Sequence, residues 1–220
     1  MKVDNKTSFL QRIEEKPQSQ EQHKLALSWL YEQAKNLGIK SCIEYFGGVG
    51  VSSAIIEYVF NPVEHVIFED NSDCIKVLKE KFSGIVSVTV LRADSLSILG
   101  DQTANHVSLD FGSFSLLKLS RLRESISKVF AHKPLFVDIT DTSLSRLGLH
   151  KNLYSTISGC SITDLKSYIL AYRDYVSKNF GYFLNYAAGH GNSFHFGFMQ
   201  QMQPLVIARV IKGKVEVINT

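Results

Sequence analysis

The chain has few cysteines and little net charge, and each shortage argues against a class of protein. Its 220 residues include three cysteines, Cys42, Cys74 and Cys160, which are far apart and form no C-x-x-C pair. This spacing argues against a disulfide framework or a cysteine-based zinc site and favours reduced thiols. The formal net charge is only +3, which does not indicate strong non-specific binding to nucleic acid.

Long apolar segments are also missing. No apolar run approaches the ~18 residues that a membrane helix requires, and the polar N-terminus has no apolar signal-peptide core. Apolar residues nevertheless make up 45% of the chain and charged residues 20%, which is enough for a buried core. We therefore expect a soluble, cytoplasmic protein without a membrane partner. We expect residues 1–38 to form an N-terminal arm and helix, and residues 39–220 to form the main domain.

Short apolar runs alternate with helical periodicity through most of the chain. Val66-Ile67-Phe68 and Leu135-Phe136-Val137 are apolar throughout, as is typical of strands buried on both faces of a parallel sheet. We predict an α/β fold, a Rossmann-like three-layer sandwich with a mostly parallel central sheet and an antiparallel strand near the C-terminus. The predicted strands are 41–46, 65–70, 86–92, 106–111 and 134–140, with strand-rich segments at 182–187 and 205–217; the predicted helices are 21–36, 51–60, 72–82, 116–130 and 164–179.

The strongest functional signal is a glycine loop between the first predicted strand and its helix. Glu44 closes the strand, and Gly47-Gly48-Val49-Gly50 opens the helix. Glycines let the backbone approach a ligand closely, and a helix N-terminus offers unpaired N–H groups. A dinucleotide fingerprint would have a third glycine where this chain has Ser53. The Glu44 carboxylate would repel a pyrophosphate and suits the cationic aminopropyl end of S-adenosylmethionine (SAM). The loop therefore favours SAM over NAD.

The segment Glu44-Tyr-Phe-Gly-Gly-Val-Gly50 resembles the first motif of class I SAM-dependent methyltransferases, and later segments follow in that family's order. Val66–Ser72 resembles the second motif, whose acid binds the ribose hydroxyls, a role we assign first to Asp70 and alternatively to Glu69. Leu91–Ser95 resembles the third motif, in which Asp94 would contact the adenine amino group. The resemblance thus implies a cofactor site formed by Glu44, Phe46, Gly48, Gly50, Glu69, Asp70 and Asp94.

Val107–Phe114 occupies the position of the fourth motif, which carries the methyl-transfer chemistry. It lacks the Asp/Asn-Pro-Pro-aromatic pattern of amino-methylating DNA enzymes. Leu109-Asp-Phe-Gly-Ser113 is similar to an Asp-Pro-Phe-Gly-Ser run of tRNA guanine-N2 dimethyltransferases, without its proline. Thr140-Asp-Thr142 is similar to a Thr-Asp-Thr of the same enzymes. The resemblance implies methylation of a nitrogen in a nucleic acid or nucleotide, with RNA or DNA as the partner.

In this interpretation, three residues carry the transfer step. Asp110 would hydrogen-bond an exocyclic amine and orient its lone pair. Phe111 or Phe114 would stack on a base, an interaction that contributes ~1–3 kcal/mol in single-strand binders. Alternative functions are a small-molecule or protein methyltransferase, and an inactive SAM-fold module for binding or assembly. An NAD-binding oxidoreductase is a more distant alternative.

Each of these acids also has a purely structural interpretation. Glu44 would cap the following helix, Asp70 would be a helix N-cap, and Asp94 and Asp110 would be turn or loop residues. The glycine-rich and aromatic segment Gly189–Phe198 is interpreted as an aromatic turn that packs on the sheet between two strands. The resemblance implies the alternative, a β-hairpin connection that can shape the substrate pocket. The segment contains His190 and His195, but two histidines without further nearby ligands do not predict a metal site.

Overall fold

The computed structural model describes residues 17–110, 119–141, 165–191 and 193–218. Within them the helices are α1 (Pro17–Ala34), α2 (Val51–Phe60), α3 (Ser72–Lys81), α4 (Ser95–Ile98), α5 (Leu119–Ala131) and α6 (Leu165–Phe180). A short 3-10 turn, Lys35–Leu37, extends α1. The strands are β1 (Ser41–Tyr45), β2 (Glu64–Glu69), β3 (Val88–Arg92), β4 (His106–Asp110), β5 (Phe136–Asp141), β6 (Phe183–His190), β7 (Ser193–Met199), β8 (Val206–Ile211) and β9 (Lys214–Ile218).

These strands form a single mixed sheet in the order β3-β2-β1-β4-β5-β7-β6-β8-β9. The first five strands of this order are parallel to one another. Strand β7 is antiparallel to both β5 and β6, and the β8–β9 hairpin extends the sheet beyond β6. The predicted α/β fold, with a mostly parallel sheet and an antiparallel strand near the C-terminus, is confirmed.

Helices cover both faces of the sheet, and the buried residues on each face form a separate core cluster. On one face the apolar side of α1 packs with α2 on β1, β5 and β6, through buried residues that include Leu30, Ile56, Phe136 and Ala188. On the other face α5 and α6 pack on β1, β4, β5 and β7. Because β1, β2, β3 and β4 are parallel, their carboxyl ends lie together along one side of the sheet, which we call the open edge. Ligands bind at this side in parallel sheets of this kind.

The periodicity of α1 correctly predicted its buried face. Leu27, Leu30, Tyr31 and Ala34 are at most 1% exposed. Gly38 ends the 3-10 turn as its C-cap and has a left-handed backbone with φ of 68°. Although α1 lies in the segment assigned to an N-terminal arm and helix, it contributes to the same core as the sheet.

The interpretation of Gly189–Phe198 as a turn was wrong, because most of it lies in β6 and β7. Its glycines lie in strands where other groups approach closely. A Cβ on Gly189 would lie 2.6 Å from the ring of Phe194, and a Cβ on Gly197 would lie 3.0 Å from Leu30 of α1. The reversal itself occurs around Gly191, whose φ is 50°.

Candidate functional site

The glycine loop lies at the open edge of the sheet, between β1 and α2. It begins at Phe46, whose φ of 66° is uncommon for a residue with a side chain. The backbone N–H of Phe46 donates to the Ser95 hydroxyl over 3.1 Å, and the N–H of Gly47 donates to the Phe68 carbonyl over 3.0 Å. The loop is thus tied to the end of β2 and to the start of α4.

The three glycines of the loop are needed for different reasons. A Cβ on Gly47 would lie 2.3 Å from Ile67, and a Cβ on Gly50 would lie 2.7 Å from Leu78 of α3. Both positions are therefore restricted by packing. Gly48 has a left-handed φ of 53°, but its Cβ would meet only the Phe46 carbonyl oxygen, 4.0 Å away. The space above Gly48 is therefore open to a ligand.

Glu69, at the end of β2, points its carboxylate at this loop. Its Oε2 accepts from the N–H of Gly48 over 2.7 Å, and its Oε1 accepts from the N–H groups of Asp70 and Asn71, each over 2.9 Å. Burial raises the pKa of Glu69, and these backbone hydrogen bonds offset only part of that effect.

The geometry favours Glu69 over Asp70 as the acid nearest the loop. Asp70 is exposed, and it is not the N-cap of α3. Asn71 takes that position, and its side chain accepts from the N–H groups of Asp73 and Cys74.

The Glu44 side chain is turned into the protein. It is completely buried, and its two carboxylate oxygens accept from the hydroxyls of Ser52 and Ser53 in the first turn of α2. On the other side, Nε2 of His65 lies 3.6 Å from Oε2 of Glu44. In this arrangement the carboxylate anchors the start of α2, close to the capping role considered above, and it does not face the open edge of the sheet.

The Glu44 network continues through His65. Nδ1 of His65 lies 2.8 Å from Oε1 of Glu57, whose Oε2 accepts from the Ser87 hydroxyl over 3.0 Å. Although burial lowers the pKa of His65, its interactions with Glu44 and Glu57 raise it overall. Two carboxylates beside a buried imidazole favour its charged form.

Asp94 and its neighbour Ser95 have different environments. Asp94 is exposed, and its Oδ1 accepts from the N–H of Leu96 over 3.1 Å, which makes it the N-cap of α4. Ser95 is buried, and its hydroxyl accepts from Phe46 and donates to the Phe68 carbonyl over 3.4 Å. Sequence reasoning missed Ser95, although it lies in the segment that resembles the third motif.

Asp110 is the last residue of β4 and is half-buried at the same open edge. It pairs in register with Thr140 of β5. Two of the segments that resembled tRNA guanine-N2 dimethyltransferases are therefore neighbours at this edge. Phe111 and Phe114, the other residues predicted to act in transfer, lie outside the described residues.

A second buried polar network lies on β4 and β5, and no sequence pattern indicated it. The Asp138 carboxylate is 2.6 Å from Nε2 of His106 and accepts from the Ser108 hydroxyl over 3.1 Å. The Tyr31 hydroxyl of α1 lies 3.4 Å from the Ser108 hydroxyl, and burial raises the pKa of Tyr31 well above its usual value. Tyr31 is completely buried, and its hydroxyl joins α1 to the sheet.

No protein-family model matches the chain, and no curated protein matches it in sequence. Solved structures do match its fold. Trm1 from Pyrococcus horikoshii, solved in complex with SAM, has a TM-score of 0.63 at 10% identity, over 90% of this chain and 62% of that one. The methyltransferase domain of bacterial CtHen1 has a TM-score of 0.58 at 12% identity, over 82% of this chain and 99% of that one.

A methyltransferase from Geobacter sulfurreducens also matches, with a TM-score of 0.57 at 14% identity, over 91% of this chain and 92% of that one. The resemblance to SAM-dependent methyltransferases is therefore confirmed at the level of the fold. No helix in the described part of the chain is long and apolar enough to cross a membrane.

Proposed function

We propose that this protein is a SAM-dependent methyltransferase that binds SAM over Gly48. The observation that carries the proposal is the Glu69 carboxylate, held 2.7 Å from the N–H of Gly48 beside an open space. A carboxylate in this position can accept hydrogen bonds from two ribose hydroxyls. Because three backbone N–H groups already donate to the carboxylate, at least one of these bonds must lengthen or open when the diol binds.

In this proposal most of the predicted cofactor residues lie beside the cofactor, and one of them acts only by holding the protein in shape. Phe46, Gly48, Gly50 and Glu69 form the surface on which the cofactor lies. Asp94 would meet the adenine from the start of α4, while Asp70 lies at the exposed rim. Glu44 is a positioning residue, because its bonds to Ser52 and Ser53 hold the start of α2 against β1.

The acceptor we propose is a nitrogen of a nucleic acid or nucleotide. The support is the adjacency of Asp110 and Thr140, because these residues belong to the two segments that resemble tRNA guanine-N2 dimethyltransferases. Asp110 would accept a hydrogen bond from the amine and align its lone pair with the SAM methyl group. A strong base is not required, because the amine proton becomes acidic once the nitrogen carries the methyl group.

Transfer of tritiated methyl from SAM to total RNA, DNA and protein tests the proposed function. We expect label in a nucleic-acid pool, and a loss of about 100-fold or more in Asp110→Ala with SAM affinity retained. Asp174→Ala is the matched control, because Asp174 is an exposed acid on α6. Label in protein alone would refute the proposed acceptor. Absence of label from every pool, with SAM bound, would favour the inactive module.

A further inference from the structure

Three imidazoles meet between α1 and the β6–β7 hairpin. His23 comes from α1, His190 is the last residue of β6, and His195 lies in β7. One ring nitrogen from each residue lies within 4.8 Å of the other two. Their ring centroids are 4.8 to 5.3 Å apart. The proposed SAM site uses none of these residues.

Two of the imidazole nitrogens lack a hydrogen-bond partner in the described part of the chain. These are Nε2 of His190 and Nε2 of His195, in residues that are 5% and 0% exposed. Buried polar atoms in proteins nearly always have a partner, and those that do not need an explanation such as a bound ion.

Thr140 fixes the orientation of His195. Its hydroxyl lies 2.9 Å from Nδ1 of His195, and both residues are buried. When Nδ1–H donates to this hydroxyl, the lone pair of His195 is on Nε2. A hydrogen bond to the far nitrogen is how proteins usually orient a metal-binding imidazole.

The cluster is held in its neutral form. Burial lowers the pKa of His23 to about 4, despite the opposing effect of Asp138 and Glu44. Burial and the nearby His23 lower the pKa of His190 to about 4, and burial lowers that of His195 well below its usual value. Neutral imidazole is the form that binds a metal.

We propose that His23, His190 and His195 bind one divalent transition-metal ion, for which Zn²⁺ is the natural probe. Imidazole ligands suit Zn²⁺ and its neighbours in the transition series, whereas Mg²⁺ and Ca²⁺ prefer oxygen ligands. Zn–N bonds of about 2.1 Å place tetrahedral ligand nitrogens about 3.4 Å apart. Starting from separations within 4.8 Å, the ligand nitrogens need to approach one another by at most about 1.4 Å.

The ion would join α1 to the hairpin near the acceptor end of the site. His195 pairs with Thr140, and Thr140 pairs with Asp110. Because neighbouring strands are about 4.8 Å apart, the Cα atoms of His195 and Asp110 are about 10 Å apart. Both side chains lie on the same face of the sheet. Three protein ligands leave a fourth position for water. The metal site does not depend on the proposed SAM site.

The test uses the full chain without a histidine tag, stripped with a chelator and titrated with Zn²⁺ alone by calorimetry. We expect about one Zn²⁺ per chain, and Co²⁺ should give the intense visible absorption of tetrahedral coordination. His23→Ala should abolish both signals. The matched control is His132→Ala, because His132 is exposed on a different part of the surface and contacts the Gly100 carbonyl. Thr140→Val should keep the stoichiometry and weaken Zn²⁺ binding about 10- to 100-fold.

Three results would overturn the metal site: no stoichiometric Zn²⁺ binding by the wild-type chain, equal binding by His23→Ala, or an octahedral Co²⁺ spectrum. Circular dichroism of each variant checks that it is folded. If His23→Ala does not fold, the wild-type stoichiometry and the Co²⁺ spectrum still decide the outcome.

Discussion

Replacing Glu44 with Gln distinguishes a structural role of this acid from direct contact with a ligand. In the structure, both carboxylate oxygens accept from serine hydroxyls at the start of α2, and the side chain is completely buried. Gln has almost the same shape as Glu. Its amide oxygen can accept a hydrogen bond from one serine hydroxyl, and its amide N–H can donate one to the other. The substitution therefore removes the charge while creating little cavity.

The expected cost follows from the two hydroxyl bonds. A hydrogen bond to a charged group contributes about 1.5–3 kcal/mol, and a neutral one about 0.5–1.5 kcal/mol. Making both bonds neutral should therefore lower the free energy of unfolding by about 2–3 kcal/mol. At about 2–4 °C per kcal/mol for a domain of this size, Tm should fall by about 4–12 °C.

Thermal unfolding by circular dichroism measures this shift, and SAM calorimetry on the same samples measures binding. Asp70→Asn is the control, because it removes an exposed acid near the same loop. Its Tm should stay within about 2 °C of the wild type. If Glu44→Gln instead left Tm unchanged while weakening SAM binding tenfold or more, the carboxylate would face the ligand and its structural role would be refuted.

Two further predictions concern the loop and Glu69. Gly48→Ala should weaken SAM binding beyond detection and cost about 1 kcal/mol of stability through its positive φ. Gly38→Ala, at a similar φ of 68° with open space around it, should show the stability cost alone; equal SAM binding by both variants would exclude ligand contact at Gly48. SAM affinity should also fall as pH decreases through the raised pKa of Glu69, because the ribose hydroxyls bind the ionised carboxylate. Calorimetry between pH 8 and pH 5 measures this dependence. If SAM affinity changes with pH equally in Glu69→Gln and the wild type, the assignment of Glu69 as the ribose-binding acid is refuted.

The sequence predicted the strand–helix alternation well, because its signals are local. Val66-Ile67-Phe68 and the periodic face of α1 each report burial within a few residues. Strand β7 was missed for the same reason. Glycines next to aromatic residues resemble a turn, and only the packed fold shows that Gly197 makes room for Leu30.

The choice between Glu69 and Asp70 depended on one residue at a strand end. Successive side chains in a strand point to opposite faces, so an error of one residue in the boundary reverses the assignment. The serines at positions 52 and 53 were the available signal that the Glu44 carboxylate accepts hydrogen bonds from within the protein. No local signal could join His23 to His195, because the sheet order and the packing of α1 bring them together.

Calorimetric titration with SAM of the wild type, Glu69→Gln and Asp70→Asn tests the central claim most directly. We predict that the wild type binds one SAM, that Asp70→Asn binds nearly as well, and that Glu69→Gln loses about 1.5–3 kcal/mol, or roughly 10- to 150-fold in Kd. Folded wild-type protein that binds no SAM at high micromolar concentration would contradict the claim, as would equal affinities of Glu69→Gln and the wild type.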